Sequence, residues 1–107
     1  MSSWIKVDAP ADLAPGEVVI ARAGYQEFAV CNAGGRLHAV SNRCPHQGGD
    51  LGDGFLEGYV LNCPLHGWAF DVRTGEAAFV SQPGRIKVYP VEVGEGAVWV
   101  EVEDAQG

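Results

Sequence analysis

Two short motifs near the middle of the chain contain residue types that bind transition metals. They are Cys44-Pro45-His46 and Cys63-Pro64-Leu65-His66, and sixteen residues separate the first histidine from the second cysteine. Each motif offers one thiolate, which favours iron–sulfur clusters or zinc, and one imidazole, which suits zinc, copper or iron. The motifs together predict a site with two sulfur and two nitrogen ligands, namely Cys44, His46, Cys63 and His66.

The order of the donors helps to distinguish an iron–sulfur cluster from zinc. Zinc accepts two cysteines and two histidines in tetrahedral geometry, but structural zinc motifs usually pair cysteine with cysteine and histidine with histidine. Here each motif contains one residue of each type. A cluster held by two cysteines on one iron and two histidines on the other suits two loops that face each other across it. The pattern favours such a cluster, and a zinc-stabilised interaction module is the alternative.

Length and composition predict one ordinary domain over residues 1–107, with 47% hydrophobic and 20% charged residues. The formal net charge of −7 argues against a nucleic-acid partner and suits docking on basic protein surfaces. No apolar run has the length of a membrane span, and the first six residues lack the pattern of a signal peptide. With an odd number of cysteines, which does not indicate a disulfide framework, we expect a cytoplasmic protein without a membrane partner.

Short runs rich in β-branched and aromatic residues alternate with turn signals, which predicts an all-β fold of the antiparallel sandwich or barrel type. The predicted strands are Trp4–Val7, Glu17–Ala21, Glu27–Cys31, Leu37–Val40, Tyr59–Leu61, Trp68–Asp71, Ile86–Val93 and Ala97–Val102. Hairpin turns are predicted at Asn32-Ala33-Gly34-Gly35, Val72-Arg73-Thr74-Gly75 and Gly94-Glu95-Gly96. No window has a sustained helical period, so almost no helix is expected. The stretch Ser41–Gly58 has little strand signal and is predicted to be a long functional loop.

The four donors and their surroundings resemble the Rieske family, whose pattern is Cys-x-His, a spacer of about this length, and Cys-x-x-His. The resemblance runs from Leu37-His38-Ala39-Val40 to the strands after Pro83. It implies the Rieske fold, an antiparallel β-sandwich with a small cluster-binding subdomain made of two loops at about residues 43–70, and one 2Fe–2S cluster. By the same resemblance, Cys44 and Cys63 would hold the buried iron, and His46 and His66 the outer, solvent-facing iron. Ser81-Gln82-Pro83-Gly84 aligns with the loop that covers the cluster in this family.

The length and layout are similar to those of the small Rieske ferredoxins that serve bacterial ring-hydroxylating dioxygenases in the breakdown of aromatic hydrocarbons. This implies a one-electron carrier with a flavoprotein NAD(P)H reductase as donor and a terminal oxygenase as acceptor. The small Rieske subunit of an NAD(P)H nitrite reductase is the second interpretation. A catalytic oxygenase chain would also need a mononuclear iron held by two histidines and a carboxylate, and only His38 remains for it. We therefore expect a relay with no catalytic residues.

Departures from the high-potential members of the family predict a low reduction potential. Those proteins carry a disulfide between the cluster loops, and its two positions are Gly49 and Leu65 here. They also carry a serine and a tyrosine that donate hydrogen bonds, and those positions are Trp68 and Phe70. We expect a potential of roughly −150 mV and not about +300 mV.

Other residues with reactive or charged side chains have plainer interpretations. Cys31 lies in a predicted strand and is expected to be a small buried hydrophobe. His38, also in a predicted strand, is expected to be structural or exposed. Asp50, Asp53 and Glu57 either steer a basic partner or form a solvated acidic loop.

Overall fold

The computed structural model describes residues 2–45, 49–64, 67–79 and 84–103. Within these ranges the chain forms ten β-strands, one short 3-10 helix and no α-helix. The strands are β1 (Ser2–Val7), β2 (Val18–Ala23), β3 (Gln26–Ala33), β4 (Arg36–Ser41), β5 (Phe55–Glu57), β6 (Val60–Asn62), β7 (Ala69–Asp71), β8 (Val88–Tyr89), β9 (Val91–Gly94) and β10 (Ala97–Glu103), and the 3-10 helix is Leu51–Asp53. The predicted all-β fold is confirmed. No helix in the described ranges has the length and apolar character that crossing a membrane requires.

The strands form three antiparallel sheets. The outer sheet has the order β1-β10-β9, the central sheet the order β2-β3-β4-β8, and the small sheet the order β5-β6-β7. The predicted cluster-binding subdomain is therefore more than two loops, because a sheet of three short strands supports them. The segment predicted as a loop, Ser41–Gly58, contains β5, whose three residues are too few to give a clear alternating pattern.

The central sheet separates two apolar cores, and alternate residues of β3 reach into each of them. Between the outer and central sheets lies the sandwich core, whose fully or largely buried members are Val7, Ala9, Leu13, Ala21, Phe28, Val30, Ala39, Val98 and Val100. On the other face lies the site core, whose members are Ala29, Cys31, Ala33, Val40, Cys44, Leu51, Leu61, Cys63, Phe70, Val72 and Ile86. Because β3 is covered on both faces, residues 28–33 are all buried, as expected for a nearly continuous apolar run.

One predicted strand, Ile86–Val93, is divided in the structure. β8 pairs with β4 in the central sheet, whereas β9 pairs with β10 in the outer sheet. Pro90 lies between them and has no backbone N–H for a ladder, so the chain leaves one sheet and joins the other at this residue. The prediction that Ile86–Val93 forms one continuous strand was therefore wrong.

The predicted turns have mixed outcomes. Gly34-Gly35 and Glu95-Gly96 join paired strands as predicted, and two further hairpin turns at Gly24-Tyr25 and Gly58-Tyr59 were not predicted. The turn after β7 leads only to a single bridge between Phe70 and Ala77. The missed turns have one glycine each, which is a weaker signal than Gly-Gly.

Candidate metal centre

Cys44 and Cys63 begin two loops that are closed in the same way. The backbone N–H of Cys44 donates to the carbonyl oxygen of Gly49 at 2.8 Å, and that of Cys63 donates to the carbonyl of Trp68 at 2.6 Å. In both cases the acceptor lies five residues after the cysteine. His46 and His66 fall within these spans in the sequence, but both lie outside the described residues.

The two cysteines lie in the same apolar layer. Cys44 is 1% exposed and Cys63 is 2% exposed, and both belong to the site core. None of the three cysteines forms a disulfide. Burial of a thiolate in apolar surroundings is costly unless a cation compensates its charge, so two buried cysteines at matching loop positions suit a metal centre. The described residues hold no group of three or more potential metal ligands, and neither motif histidine is among them.

Both loops turn from a buried cysteine to an exposed residue. Pro45 and Pro64 follow the two cysteines and are exposed, and so is Gly67 near the end of the second loop. The two cysteines are therefore in the protein interior, and the described loop residues next to them are exposed to solvent. This polarity allows a redox group to be shielded on one side and approached on the other.

The side chain of Asn42 anchors the first loop, and the sequence reasoning did not identify it. Its Oδ1 accepts a hydrogen bond from the Gly52 N–H at 2.8 Å, and its Nδ2 donates to Glu27 Oε1 and to Asp50 Oδ1, both at 3.1 Å. Its carbonyl oxygen accepts from the Leu51 N–H at 2.7 Å. The available signal was an asparagine directly after a strand, a position where its amide commonly organises a turn.

Two strands hold the second loop. Asn62, the last residue of β6, pairs with Ala69, the first residue of β7, so the loop from Cys63 to Trp68 is a closed connection between paired strands. Gly54 is required beneath it, since a Cβ at that position would overlap the carbonyl oxygen of Asn62. This close backbone contact explains one glycine of the glycine-rich stretch before β5.

A third segment meets the two loops at Gly84. A Cβ on Gly84 would lie 3.4 Å from Cζ3 of Trp68 and 3.5 Å from Cγ of Pro45, so the residue lies against both loops. Its φ of +100° favours glycine. Of the predicted covering segment, Gly84 is next to the site, and Ser81, Gln82 and Pro83 lie outside the described residues.

Behind the loops, four polar and aromatic side chains connect β7 with the central sheet. Arg73 donates to both carboxylate oxygens of Asp71, at 3.0 and 2.8 Å, and these hydrogen bonds lower the pKa of Asp71. The Arg73 guanidinium lies 4.1 Å from the centre of the Tyr59 ring, and that ring meets His38 edge to face at 6.1 Å. Burial lowers the pKa of His38, which favours the neutral ring and a structural role.

Cys31 fits its predicted role as a buried small hydrophobe. It is fully buried in β3, and burial raises the pKa of its thiol to about 12. The thiol is therefore protonated at neutral pH and unsuited to bind metal without a large change of environment.

Comparison with known proteins identifies the family of this site. The profile of the Rieske [2Fe-2S] domain matches residues 3–90. The chain belongs to the Rieske [2Fe-2S] domain family. Its cofactor is therefore one Rieske-type 2Fe–2S cluster, and the zinc alternative is set aside.

Relatives of similar length share the sequence and the fold. The ferredoxin component of the naphthalene 1,2-dioxygenase/salicylate 5-hydroxylase systems of a Ralstonia species is 36% identical over 101 residues, which are 94% of this Rieske chain and 97% of the relative. A chain in the structure "Complex of reduced oxygenase and oxidized ferredoxin in carbazole 1,9a-dioxygenase" is 38% identical, with a TM-score of 0.78 and coverage of 90% and 99%. The ferredoxin of Sphingomonas yanoikuyae B1 is 30% identical, with a TM-score of 0.83 and coverage of 94% and 100%.

Proposed function

We propose that this chain is a one-electron carrier that takes electrons from a flavoprotein NAD(P)H reductase and passes them to a terminal ring-hydroxylating oxygenase. The observation that carries the proposal is the 36% identity, over almost the full length of both chains, to the ferredoxin component of an aromatic dioxygenase system. When bound, the 2Fe–2S cluster takes up and releases one electron at a time. The protein itself performs no bond chemistry, so it is not an enzyme.

We propose that Cys44, His46, Cys63 and His66 are the ligands of the cluster. The matching closures of the two loops and the burial of both cysteines in one core layer support this assignment. In this arrangement the cysteine side of the cluster lies against the site core, where water is excluded. The loop side is open to solvent, where a donor or acceptor protein can approach.

Anaerobic stopped-flow spectroscopy tests the proposed function. The cluster-loaded protein is mixed with NADH or NADPH, with and without the reductase of an aromatic oxygenase system, and then with the oxidised terminal oxygenase. We expect the visible absorption to bleach only when the reductase is present and to recover on addition of the oxygenase, with one electron per chain. Reoxidation by a sirohaem nitrite reductase and not by the oxygenase would contradict the proposal in favour of the alternative.

Exposed acidic residues beside the first loop are candidates for steering a basic partner. Asp50, Asp53 and Glu57 are all exposed. Asp50 also accepts a hydrogen bond from Asn42 at 3.1 Å, and Glu57 accepts a long one from Asn62 at 3.4 Å. Asp53→Asn combined with Glu57→Gln is expected to slow the second-order reaction with the partner several-fold at low ionic strength and little at high ionic strength. Asp12→Asn, an exposed position next to the sandwich core, is the control. If both variants slowed the reaction equally, the cause would be the overall net charge of the protein and not local steering by Asp53 and Glu57.

The reduction potential follows from the residues around the second loop. Phe70 is fully buried and has no hydroxyl group to donate a hydrogen bond toward the cluster. We propose a potential near the low end of the Rieske range, roughly −150 mV. An EPR-monitored titration measures it, and a value near the upper end of the range would contradict the proposal.

We further propose that residues 1–107 form a single domain that functions in the cytoplasm. The contacts of the central sheet with both cores support one folding unit, and Cys31, which is not a proposed ligand, forms no disulfide, as is usual in a reducing compartment. Cell fractionation of the producing organism tests the location, and limited proteolysis that yields two stable fragments would contradict a single domain.

A further inference from the structure

The solvent face of the outer sheet carries two tryptophans. Trp4 in β1 lies opposite Glu101, and Trp99 in β10 lies opposite Lys6, so the two indoles are diagonal neighbours on one face. Trp4 is 40% exposed and Trp99 is half-buried. Val98 and Val100, which flank Trp99 in β10, are buried in the sandwich core on the other face of the sheet. The tryptophans therefore do not belong to a core and leave aromatic surface accessible.

A groove of about 310 Å³ runs beside these tryptophans. It is lined by Trp4, Glu92, Val93, Gly94, Glu95 and Trp99, and we call it the tryptophan–glutamate groove. Glu92 lies directly opposite Trp99 in the sheet. The Trp99 Nε1–H donates to the carbonyl oxygen of Gly94 at 3.4 Å, which orients the indole. The groove is therefore lined by two carboxylates, of Glu92 and Glu95, and by two indole side chains.

Glu95 occupies this groove in an unfavourable backbone conformation. Its φ is +55°, and it is the one non-glycine residue with positive φ in the described part of the chain. Asparagine, aspartate or glycine adopts this first position of the turn more readily than glutamate does. The turn places the side chain of Glu95 among the residues that line the groove.

The chemistry of the groove matches a guanidinium group. A guanidinium stacks on indole rings and forms hydrogen-bonded ion pairs with carboxylates, and an arginine stem covers apolar surface at the same time. No ion pair among the described residues uses Glu92 or Glu95. The volume of the groove is enough for one or two side chains. The net charge of −7 adds long-range attraction for a basic protein surface.

This groove is remote from the cluster-binding loops. The sandwich core and the central sheet lie between it and the site core, which contains Cys44 and Cys63. We propose that the tryptophan–glutamate groove is a second docking site, which takes an exposed arginine side chain of a partner protein while the cluster end stays free. The identity of the partners rests on the proposed function, and the recognition of arginine does not.

Binding of a small probe tests the recognition. The cluster-loaded chain, with 15N-labelled tryptophan, is titrated by NMR with acetyl-Gly-Arg-Gly-amide and with the same peptide containing neutral citrulline. We expect saturable shifts of the Trp4 and Trp99 indole N–H signals with the arginine peptide, and at least fivefold weaker binding of the citrulline peptide. Glu95→Gln should weaken arginine binding at least fivefold, and Asp12→Asn should not change it. Equal binding of the two peptides, or no saturable shift at 20 mM peptide (roughly the limit for a single cation–π contact), would overturn the proposal.

Binding of whole partner proteins tests the docking role. The reductase and the oxygenase are titrated onto the immobilised, cluster-loaded chain, as wild type, Glu95→Gln or Asp12→Asn. We expect Glu95→Gln to weaken the binding of one partner at least threefold while single-turnover electron transfer within the preformed complex keeps its rate. Unchanged binding of both partners would overturn the docking role. A failure of electron transfer in the wild type would instead count against the proposed function, and the peptide titration does not depend on it.

Discussion

The two cores on opposite faces of the central sheet are built differently. The sandwich core lies between sheets whose main strands are six to eight residues long, and its largest fully buried side chain, Phe28, meets the partly buried Tyr89 edge to face at 5.0 Å. The site core is covered by a sheet of three-residue strands, and it contains all three cysteines. The sandwich side is held mainly by backbone hydrogen bonds between long strands. The site side is held mainly by side-chain hydrogen bonds, such as those of Asn42, and by the backbone hydrogen bonds that close the two short loops.

This difference indicates which part of the molecule depends on the cofactor. A metal centre adds its binding free energy only where the protein supplies the ligands, and short strands alone give marginal stability. The sandwich side is expected to be stable without the cluster, and the loops around Cys44 and Cys63 are expected to be stabilised by it. Matched substitutions on the two faces can test this contrast.

The largest effect is expected from removal of a proposed sulfur ligand. Cys44→Ala or Cys63→Ala should lower cluster occupancy more than tenfold, measured by visible absorption and iron content, because two remaining histidines and one thiolate cannot hold both irons. Cys31→Ala is the matched control, since it lies in the same core layer and in β3. It should retain the cluster and cost about 1 kcal/mol of stability. Loss of the cluster in Cys31→Ala alone would reverse the assignment.

The next effect concerns the largest aromatic side chain of each core. Phe28 and Phe70 are both fully buried. Phe28→Leu should lower the free energy of unfolding by about 1–2 kcal/mol in both the cluster-loaded and the cluster-free protein. Phe70→Leu should have its main effect on the cluster-loaded protein, by increasing the rate of cluster loss to a chelator. Identical behaviour of the two variants in urea unfolding and chelation would show that the two sides are one cooperative unit.

An effect of similar size is expected at two buried asparagines. Asn42 anchors the first loop, and Asn32 on the sandwich side donates from Nδ2 to the Leu13 carbonyl oxygen at 2.8 Å. Each change to alanine leaves buried partners unsatisfied and should cost about 1–3 kcal/mol. Only Asn42→Ala should also accelerate cluster loss, which is followed by absorbance. Faster cluster loss in Asn32→Ala would contradict a local role for Asn42.

The smallest effect is a pH dependence on the site side. Burial lowers the pKa of His38 below its ordinary value of 6.5, and the nearby Arg36 and Arg73 act in the same direction. His38 therefore binds a proton more readily in the unfolded chain than in the folded chain, so stability is lost as the pH falls through about 6.5. Urea unfolding at pH 7.5 and 5.5 should show a smaller loss for His38→Gln than for the wild type. A larger loss in the variant would contradict the burial argument.

Much of the fold was predictable because runs of β-branched and aromatic residues between turn signals indicate strands locally. The strands β1 to β4 and β10 lie where these runs placed them, with ends shifted by at most two residues. The prediction was wrong at Ile86–Val93, which Pro90 divides between two sheets, and it missed β5. The sheet that each half of Ile86–Val93 joins depends on distant residues, whereas β5 is too short, at three residues, to give a clear local pattern.

The sequence by itself determined the donor types, their spacing and the turns at Gly34-Gly35 and Glu95-Gly96, because these depend on residues close together in the chain. It did not identify Asn42 as the anchor of the first loop, the contact of Gly84 with both loops, or the meeting of Trp4 with Glu95 at one groove. Only the tertiary structure decided that Cys44 and Cys63 share one buried layer and that the groove lies on the opposite face. The physical reason is that the pairing of the strands and the packing of the sheets bring together residues that are distant in sequence.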